Sequence, residues 1–374
     1  MTTCDVLIVG GGPAGSTCAR KLTHAGMNVI VADKATFPRD KICAGWITPQ
    51  VLETLQLDVA EYANSRVFQT IDSFYVGLFD RPGVEVHFDS PVSYGIRRCE
   101  FDHYLLARSG AALELGEPVK DIRRTATGWM VNGRIEARIL VGAGGHFCPI
   151  ARMLRASHPN RGRLVTAVEI EFQALNGSSV DHSRRSQPRL YFRDDLSGYG
   201  WCVPKGDFLN IGVGLVDSKE TASATDALLT VIRGDQAFVG QLPRKFHGHA
   251  YYLYDGGHSP LLDDAVLLIG DAAGLAYSQS GEGIRPAIES GLLAARVILE
   301  AAGDYRRARL ETYRTGLVDR LGTDRPTLAS RIFQQLGTRI QKALVRRLIR
   351  SPRFVRDSVI RDGFLHARQP ALIG

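Results

Sequence analysis

The run Gly10-Gly11-Gly12-Pro13-Ala14-Gly15 restricts what this chain can become more than any other stretch of it. Before it stands Asp5-Val-Leu-Ile-Val-Gly10, short and apolar enough for a buried strand. After it, residues 14–26 carry apolar positions at helical spacing up to the stop at Gly26. Val29-Ile-Val-Ala-Asp33 reads as a second strand, completing a βαβ unit whose strands must run parallel. In that setting the glycines match G-x-G-x-x-G. Gly10 allows a tight turn, Gly12 lets the backbone approach a pyrophosphate, and Gly15 allows close packing of helix on strand. The helix start at Ala14 offers its positive end to the phosphates. Asp33 ends the second strand, where a carboxylate accepts both ribose hydroxyls and repels a 2′-phosphate; Lys34 beside it joins the same cofactor-binding set. Taken alone, this motif does not separate FAD from NAD.

The separating signal stands far downstream, in Leu268-Ile-Gly270-Asp271-Ala-Ala-Gly274 followed by Ser280-Gly281-Glu282-Gly283-Ile284 and a long helix. A carboxylate just after a buried strand can bond the ribityl hydroxyls of a flavin, a group that NAD lacks. The glycines let backbone N–H groups reach the pyrimidine edge of the ring, and the helix start beyond them favours the negative charge of the reduced form. In this order after the fingerprint, the motifs point to FAD.

The same sheet is expected to continue in a block from about Arg98 through Arg138-Ile-Leu-Val-Gly142, and in Ala265-Val-Leu-Leu-Ile-Gly270. Between these blocks, residues 66–96 and 165–216 alternate apolar and polar positions, as half-buried antiparallel strands do. The expected fold is mixed α/β (α+β). A Rossmann-type FAD-binding domain is assembled from 1–65, 97–164 and 250–310, and an antiparallel β-sheet substrate domain from 66–96 and 165–249 is inserted into it. A helical, basic C-terminal section at 311–374, broken at Pro326 and Pro352, completes the chain. Six scattered cysteines without a C-x-x-C pair support neither a zinc site nor a disulfide scaffold, so no metal is expected. An apolar strand begins at Asp5 with no leader before it, and no apolar run is long enough to span a bilayer; the expected location is cytoplasmic. The net charge of +7 is local, because Arg339 to Gly374 alone holds eight Arg and one Lys against Asp357 and Asp362. The rest is neutral, which argues against a nucleic-acid partner.

Phe37-Pro-Arg-Asp-Lys41-Ile-Cys43-Ala-Gly45, Arg98-Cys-Glu-Phe101-Asp102, Tyr199-Gly-Trp201-Cys-Val-Pro204-Lys205-Gly206 and the Gly-Asp and Gly-Glu-Gly-Ile turns resemble the geranylgeranyl reductase family of FAD-dependent oxidoreductases, within the hydroxylase-like flavoproteins. The resemblance runs from residue 4 to about 300. It implies FAD contacts at Ala14, Asp33, Cys43, Ala44, Arg98, Val119, Asp271, Gly283 and Ile284, with Gly281 opening the last turn. It also implies a cysteine beside the flavin, although the usual Cys-Gly-Gly here reads Cys43-Ala44-Gly45-Trp46. A second fingerprint, Gly-Ala-Asp-Gly-x-x-Ser in such flavoproteins, is Gly142-Ala143-Gly144-Gly145-His146-Phe147-Cys148 in this chain, lacking its aspartate and serine. That departure leaves the electron donor open between NAD(P)H and a carrier protein such as ferredoxin. His146 is more readily a structural or surface histidine than a catalytic one.

Tyr199 and Trp201 stand two apart on a strand and so share a face, which in the family lies over the flavin and helps to form an apolar tunnel. The expected activity is reduction of C=C bonds in an isoprenoid or other apolar substrate by hydride from reduced FAD. Tyr199, Trp201 and Cys43 are the candidate catalytic residues, and the proton donor stays open among Tyr199, Cys43 and an ordered water. An aromatic hydroxylase is the alternative, and a flavoprotein that only binds comes last. Halogenation is disfavoured because no lysine occurs between Lys41 and Lys120. In the tail, Phe333, Leu336, Ile340, Leu344 and Leu348 form one stripe and Arg339, Lys342, Arg346 and Arg350 another, the pattern of a helix that either lies on an anionic membrane or packs on its own protein.

Overall fold

A computed structural model describes residues 1–156, 162–173, 186–216, 218–234, 242, 245–322 and 335–373. The fingerprint strand Thr2–Val9 is the centre of the first sheet. It pairs in parallel with Val29–Asp33 on one side and Ile135–Gly142 on the other, and the sheet continues to Ala112–Leu115 and Val266–Leu268, also in parallel. Val6, Leu7 and Ile8 are wholly buried, as an uninterrupted apolar strand covered on both faces must be. The fingerprint helix, Pro13–His24, packs against the long helix Ile284–Glu300 and against Arg98–Ala107. The two flavin motifs, remote in sequence, therefore meet at the carboxyl ends of two parallel strands that flank Ile135–Gly142, where ligands of such sheets bind.

The second sheet has seven strands in the order His247–Tyr252, Leu164–Gln173, Phe208–Leu215, Gly198–Lys205, Arg189–Phe192, Ser73–Leu78 and Arg81–His87. All pairs are antiparallel except Arg189–Phe192 with Ser73–Leu78. Alternation decides what each face meets. Cys202, Ile211 and Val213 turn toward the helix Thr221–Gly234, whereas Leu190, Trp201 and Val203 turn toward Val345, Ile349, Val355 and Phe364 of the C-terminal section. A small third sheet joins Trp46–Ile47, Ser93–Ile96 and Phe68–Ile71. The alternating stretch 66–96 is thus shared between two sheets.

The helix Thr338–Leu348 is set differently from its expected stripe. Val345 and Ile349 are the buried positions, and Ile340 is 58% exposed. Phe333 and Pro326 lie outside the described residues. After Pro352, a π-helical segment Val355–Phe364 turns back over the second sheet. Among the described residues, no helix is long and apolar enough to cross a membrane.

Candidate active site

A cavity of about 620 Å³ runs between the first two sheets, lined by residues of both. Its nucleotide end holds Gly10, Gly12, Ala14, Asp33, Lys34 and Val119. Gly15 does not line it and instead packs beneath Gly10. Gly10 has φ +120°, and an added Cβ would strike the Ala143 carbonyl at 2.3 Å, so the turn itself demands glycine. Gly12 differs. Its φ is −75°, and the nearest atom to an added Cβ is Arg39 Nη2 at 3.6 Å. No protein atom forbids a side chain there, and the room it leaves opens into the cavity beside a helix start without a side-chain cap. Asp33 accepts from Gly11 N at 2.8 Å and Ala35 N at 2.9 Å, which fixes its carboxylate at the end of the strand. These features fit the ribose and pyrophosphate of FAD.

Midway along, Asp271 follows its strand on a turn through Gly270, and Gly281, Gly283 and Ile284 line the cavity close by, an added Cβ on Gly283 falling 3.2 Å from Asp271 Oδ1. Burial resists ionisation of Asp271, but His249 and Lys41 outweigh it and hold the carboxyl below its ordinary range. His249 Nε2 lies 3.7 Å from Asp271 and 2.9 Å from Lys41 Nζ. Burial pushes the pKa values of both His249 and Lys41 down. An ionised acid beside a neutral imidazole suits hydrogen bonding to ribityl hydroxyls. Arg98 stays cationic: burial works against its charge, but the bidentate contact with Asp102 at 2.7 and 2.8 Å and the Cys43 sulfur raise its pKa.

Cys43 is held at every polar group. Its N–H donates to Glu169, its carbonyl accepts from Asn210 at 3.3 Å and Lys205 at 3.5 Å, and its sulfur accepts from Gly45 N at 3.4 Å. Asn210 in turn accepts the Trp201 indole N–H at 2.7 Å, and Lys205 pairs with Glu171 at 2.5 Å. Glu169, Asn210 and Lys205 are buried, and sequence reasoning missed all three. Each reads as one polar position in an alternating strand, and only the folded register brings them to a loop more than a hundred residues away. His249 was missed for the same reason.

The remaining end is an aromatic and aliphatic chamber of Trp46, Leu190, Tyr199, Trp201, Val203 and Phe364. Phe364 stacks on Trp46 at 5.4 Å and meets the Tyr199 ring edge-on at 5.3 Å. Tyr199 donates to the Ser280 carbonyl at 2.5 Å, tying the second sheet to the Gly281 turn. Burial raises the pKa of its hydroxyl. The cavity therefore gathers Cys43, Tyr199 and Trp201 with every expected cofactor residue except Gly15. At its rim, His146 packs against Tyr252 at 5.1 Å and Phe147 projects outward, 70% exposed.

Residues 3–61 match the FAD binding domain family. The chain is 31% identical over 335 residues to a menaquinone reductase of Mycolicibacterium smegmatis, covering 82% of this chain and 79% of that protein. It is 27% identical to digeranylgeranylglycerophospholipid reductase 1 of Methanothermobacter thermautotrophicus, covering 84% of this chain and 82% of that protein. Among solved structures, a geranylgeranyl bacteriochlorophyll reductase-like protein of Thermoplasma acidophilum shares the fold with a TM-score of 0.76 at 20% identity over 97% of both chains.

Proposed function

The chain belongs to the geranylgeranyl reductase family of FAD-dependent oxidoreductases, and on that premise we propose that it saturates double bonds in the prenyl chain of a lipid or quinone. When bound and reduced, FAD supplies a hydride. The residues of the chain do the rest. Asp33 and the fingerprint helix would hold the nucleotide, Val119 its adenine, and Asp271 the ribityl chain. The turn through Gly281, Gly283 and Ile284 would meet the ring, and Arg98, Cys43 and Ala44 of the same lining would contact it. Trp46, Tyr199, Trp201 and Phe364 exclude water and lay an alkene along the remaining wall.

One observation carries this reading: beyond the Cys43 loop the cavity is walled by the aromatic and aliphatic side chains of Trp46, Leu190, Tyr199, Trp201, Val203 and Phe364, which suits a hydrocarbon chain. The test is anaerobic. Protein carrying photoreduced FAD is mixed with menaquinone or digeranylgeranylglycerophospholipid, and product is followed by mass spectrometry. Gain of two hydrogens per bond with matching flavin reoxidation is expected. An oxygenated product on admission of air, with no saturated one beforehand, would favour a hydroxylase instead.

Two finer points belong to the same proposal. Electrons enter from NAD(P)H or a ferredoxin-like carrier, and stopped-flow reduction with each donor separates the two. The basic C-terminal helix meets an anionic lipid surface at its edge, bringing the site to a lipid-borne substrate. Exposed Ile340 beside exposed Arg339, Arg347 and Arg350 supports this.

A further inference from the structure

Saturating an isolated double bond takes a proton as well as a hydride, and the cavity holds few groups able to give one. Tyr199 spends its hydroxyl proton on the Ser280 carbonyl. The Cys43 sulfur is turned as an acceptor toward Gly45 N–H and Arg98. Glu282 also lines the cavity and burial lifts its pKa to about 7, but it accepts from Arg285 N at 2.9 Å and is committed to capping the helix that begins at Ile284. Glu169 remains. It lines the cavity from the strand Leu164–Gln173, only 4% exposed; one oxygen takes the Cys43 N–H, and Oε2 is buried with no hydrogen-bond partner among the described residues.

We propose that Glu169 is the acid that protonates the double bond, an assignment that rests on the reductase function above. Its position follows from the sheet. Gly212 pairs with Glu169 on one side and with Trp201 on the other. A Cβ on Gly212 would meet the Trp201 ring at 2.3 Å and Glu169 Cβ at 2.7 Å. Glycine at 212 thus lets the indole lean over the sheet beside the carboxyl, so the acid sits at the chamber's aromatic wall and next to the Cys43 loop.

Charge accounting agrees with a neutral carboxyl. Around Glu169, Lys205 pairs with Glu171 at 2.5 Å, and Arg97 pairs with Glu171 at 2.9 Å and Glu100 at 3.3 Å. Lys205 and Arg97 thus already face Glu171 and Glu100, and farther along the Cys43 loop Arg39 and Arg98 both face Asp102, so no cation within salt-bridge distance of Glu169 is found among the described residues. Burial raises the Glu169 pKa, opposed by Lys205, the Cys43 N–H and Asn210, while Glu171 adds to the rise. A proton on Oε2 would sit on the oxygen that has no hydrogen-bond partner among the described residues.

The step balances. The π pair of the alkene closes a C–H bond to the Glu169 proton, and the O–H pair stays on the carboxylate. The hydride from reduced FAD completes the second C–H bond, so the alkene gains two electrons and the cofactor loses two. Water returns the proton to the carboxylate.

The experiment uses FAD-loaded wild type, E169Q and E169D with menaquinone as the prenyl probe. E169Q keeps an acceptor for the Cys43 N–H but has no transferable proton. We expect unchanged flavin content and photoreduction, reoxidation by substrate slowed about 100-fold or more, and a partial return of rate in E169D. Independently of turnover, an infrared spectrum of wild type near neutral pH should contain a protonated-carboxyl band that E169Q lacks. Wild type that saturates the probe while E169Q matches it within about threefold overturns the acid assignment alone, as does absence of the band difference. Wild type that saturates neither menaquinone nor digeranylgeranylglycerophospholipid overturns the reductase function, and the acid role falls with it.

Discussion

At the scale of single residues, Gly12 offers the cleanest test of the cofactor site. An alanine there meets nothing in the protein closer than 3.6 Å and needs no unusual backbone, so G12A should fold with a urea midpoint close to wild type. Its methyl group would project into the space reserved for the pyrophosphate. We expect FAD affinity to fall about tenfold or more, read by fluorescence titration of the apoprotein; full affinity would remove the fingerprint from the binding site. Gly12 was legible in the sequence because its neighbours dictate a strand before it and a helix after it. Glu169 was not. A glutamate in an alternating strand looks like a solvated position, and its meaning comes from pairing with Gly212 and from the reach of the Cys43 loop. Local pattern specifies the first kind of residue, and tertiary register specifies the second.

At the scale of elements, the C-terminal segment turns out to be a wall of the chamber and a strap over it. Phe364 faces the cavity, and two residues later the chain is caught by Arg285, whose guanidinium donates to the carbonyls of His366, Gln369 and Pro370 at 3.2, 2.8 and 3.0 Å. Arg285 is the second residue of the helix after the Gly283 turn, so the strap and the expected ring contact share one anchor. His366 stacks on Tyr277 at 3.7 Å, and its Nε2 is buried without a partner among the described residues. Burial and Arg285 push its pKa down from 6.5 to about 4, against the pull of Glu289 and Asp362. The unfolded chain therefore binds more protons than the folded one between these values. The contribution of His366 to stability is complete above pH 6.5 and is lost as pH falls toward 4. Asparagine tolerates the positive φ of this position. Between pH 7 and 4.5, wild type should lose up to about 3 kcal/mol more than H366N in urea unfolding. Equal losses would show that the imidazole is not held neutral. The helical character and the break at Pro352 were legible, but the return of the chain over the second sheet was not, because nothing local in the sequence encodes what Arg285 will grip.

At the scale of the whole molecule, the charge excess lies almost wholly in one section, and the fold decides how much of it faces outward. The helix Thr338–Leu348 spends Lys342 and Arg346 on Asp194, at 2.9 and 2.8 Å, and buries Val345 and Ile349 in the core beneath the second sheet. Its expected apolar stripe is therefore rotated partly into the open, and the basic side is partly neutralised from within. Besides Arg339 near the helix start, the exposed arginines here include Arg347, Arg350 and Arg353. Three such cations near an anionic bilayer contribute about 3 kcal/mol at low salt, too little for a permanent anchor but enough for transient contact. Screening shortens that attraction as salt rises. Vesicles containing phosphatidylglycerol should pull down the full chain at low ionic strength and release it at about 0.5 M salt, while neutral vesicles should not retain it. Replacing all three arginines by glutamine should abolish sedimentation without changing flavin content. Removing Asp194 by D194N frees Lys342 and Arg346 and should strengthen it. Failure of the wild-type chain to sediment at low salt, or indifference to the triple replacement, would leave the basic helix as a brace for the chamber wall and nothing more.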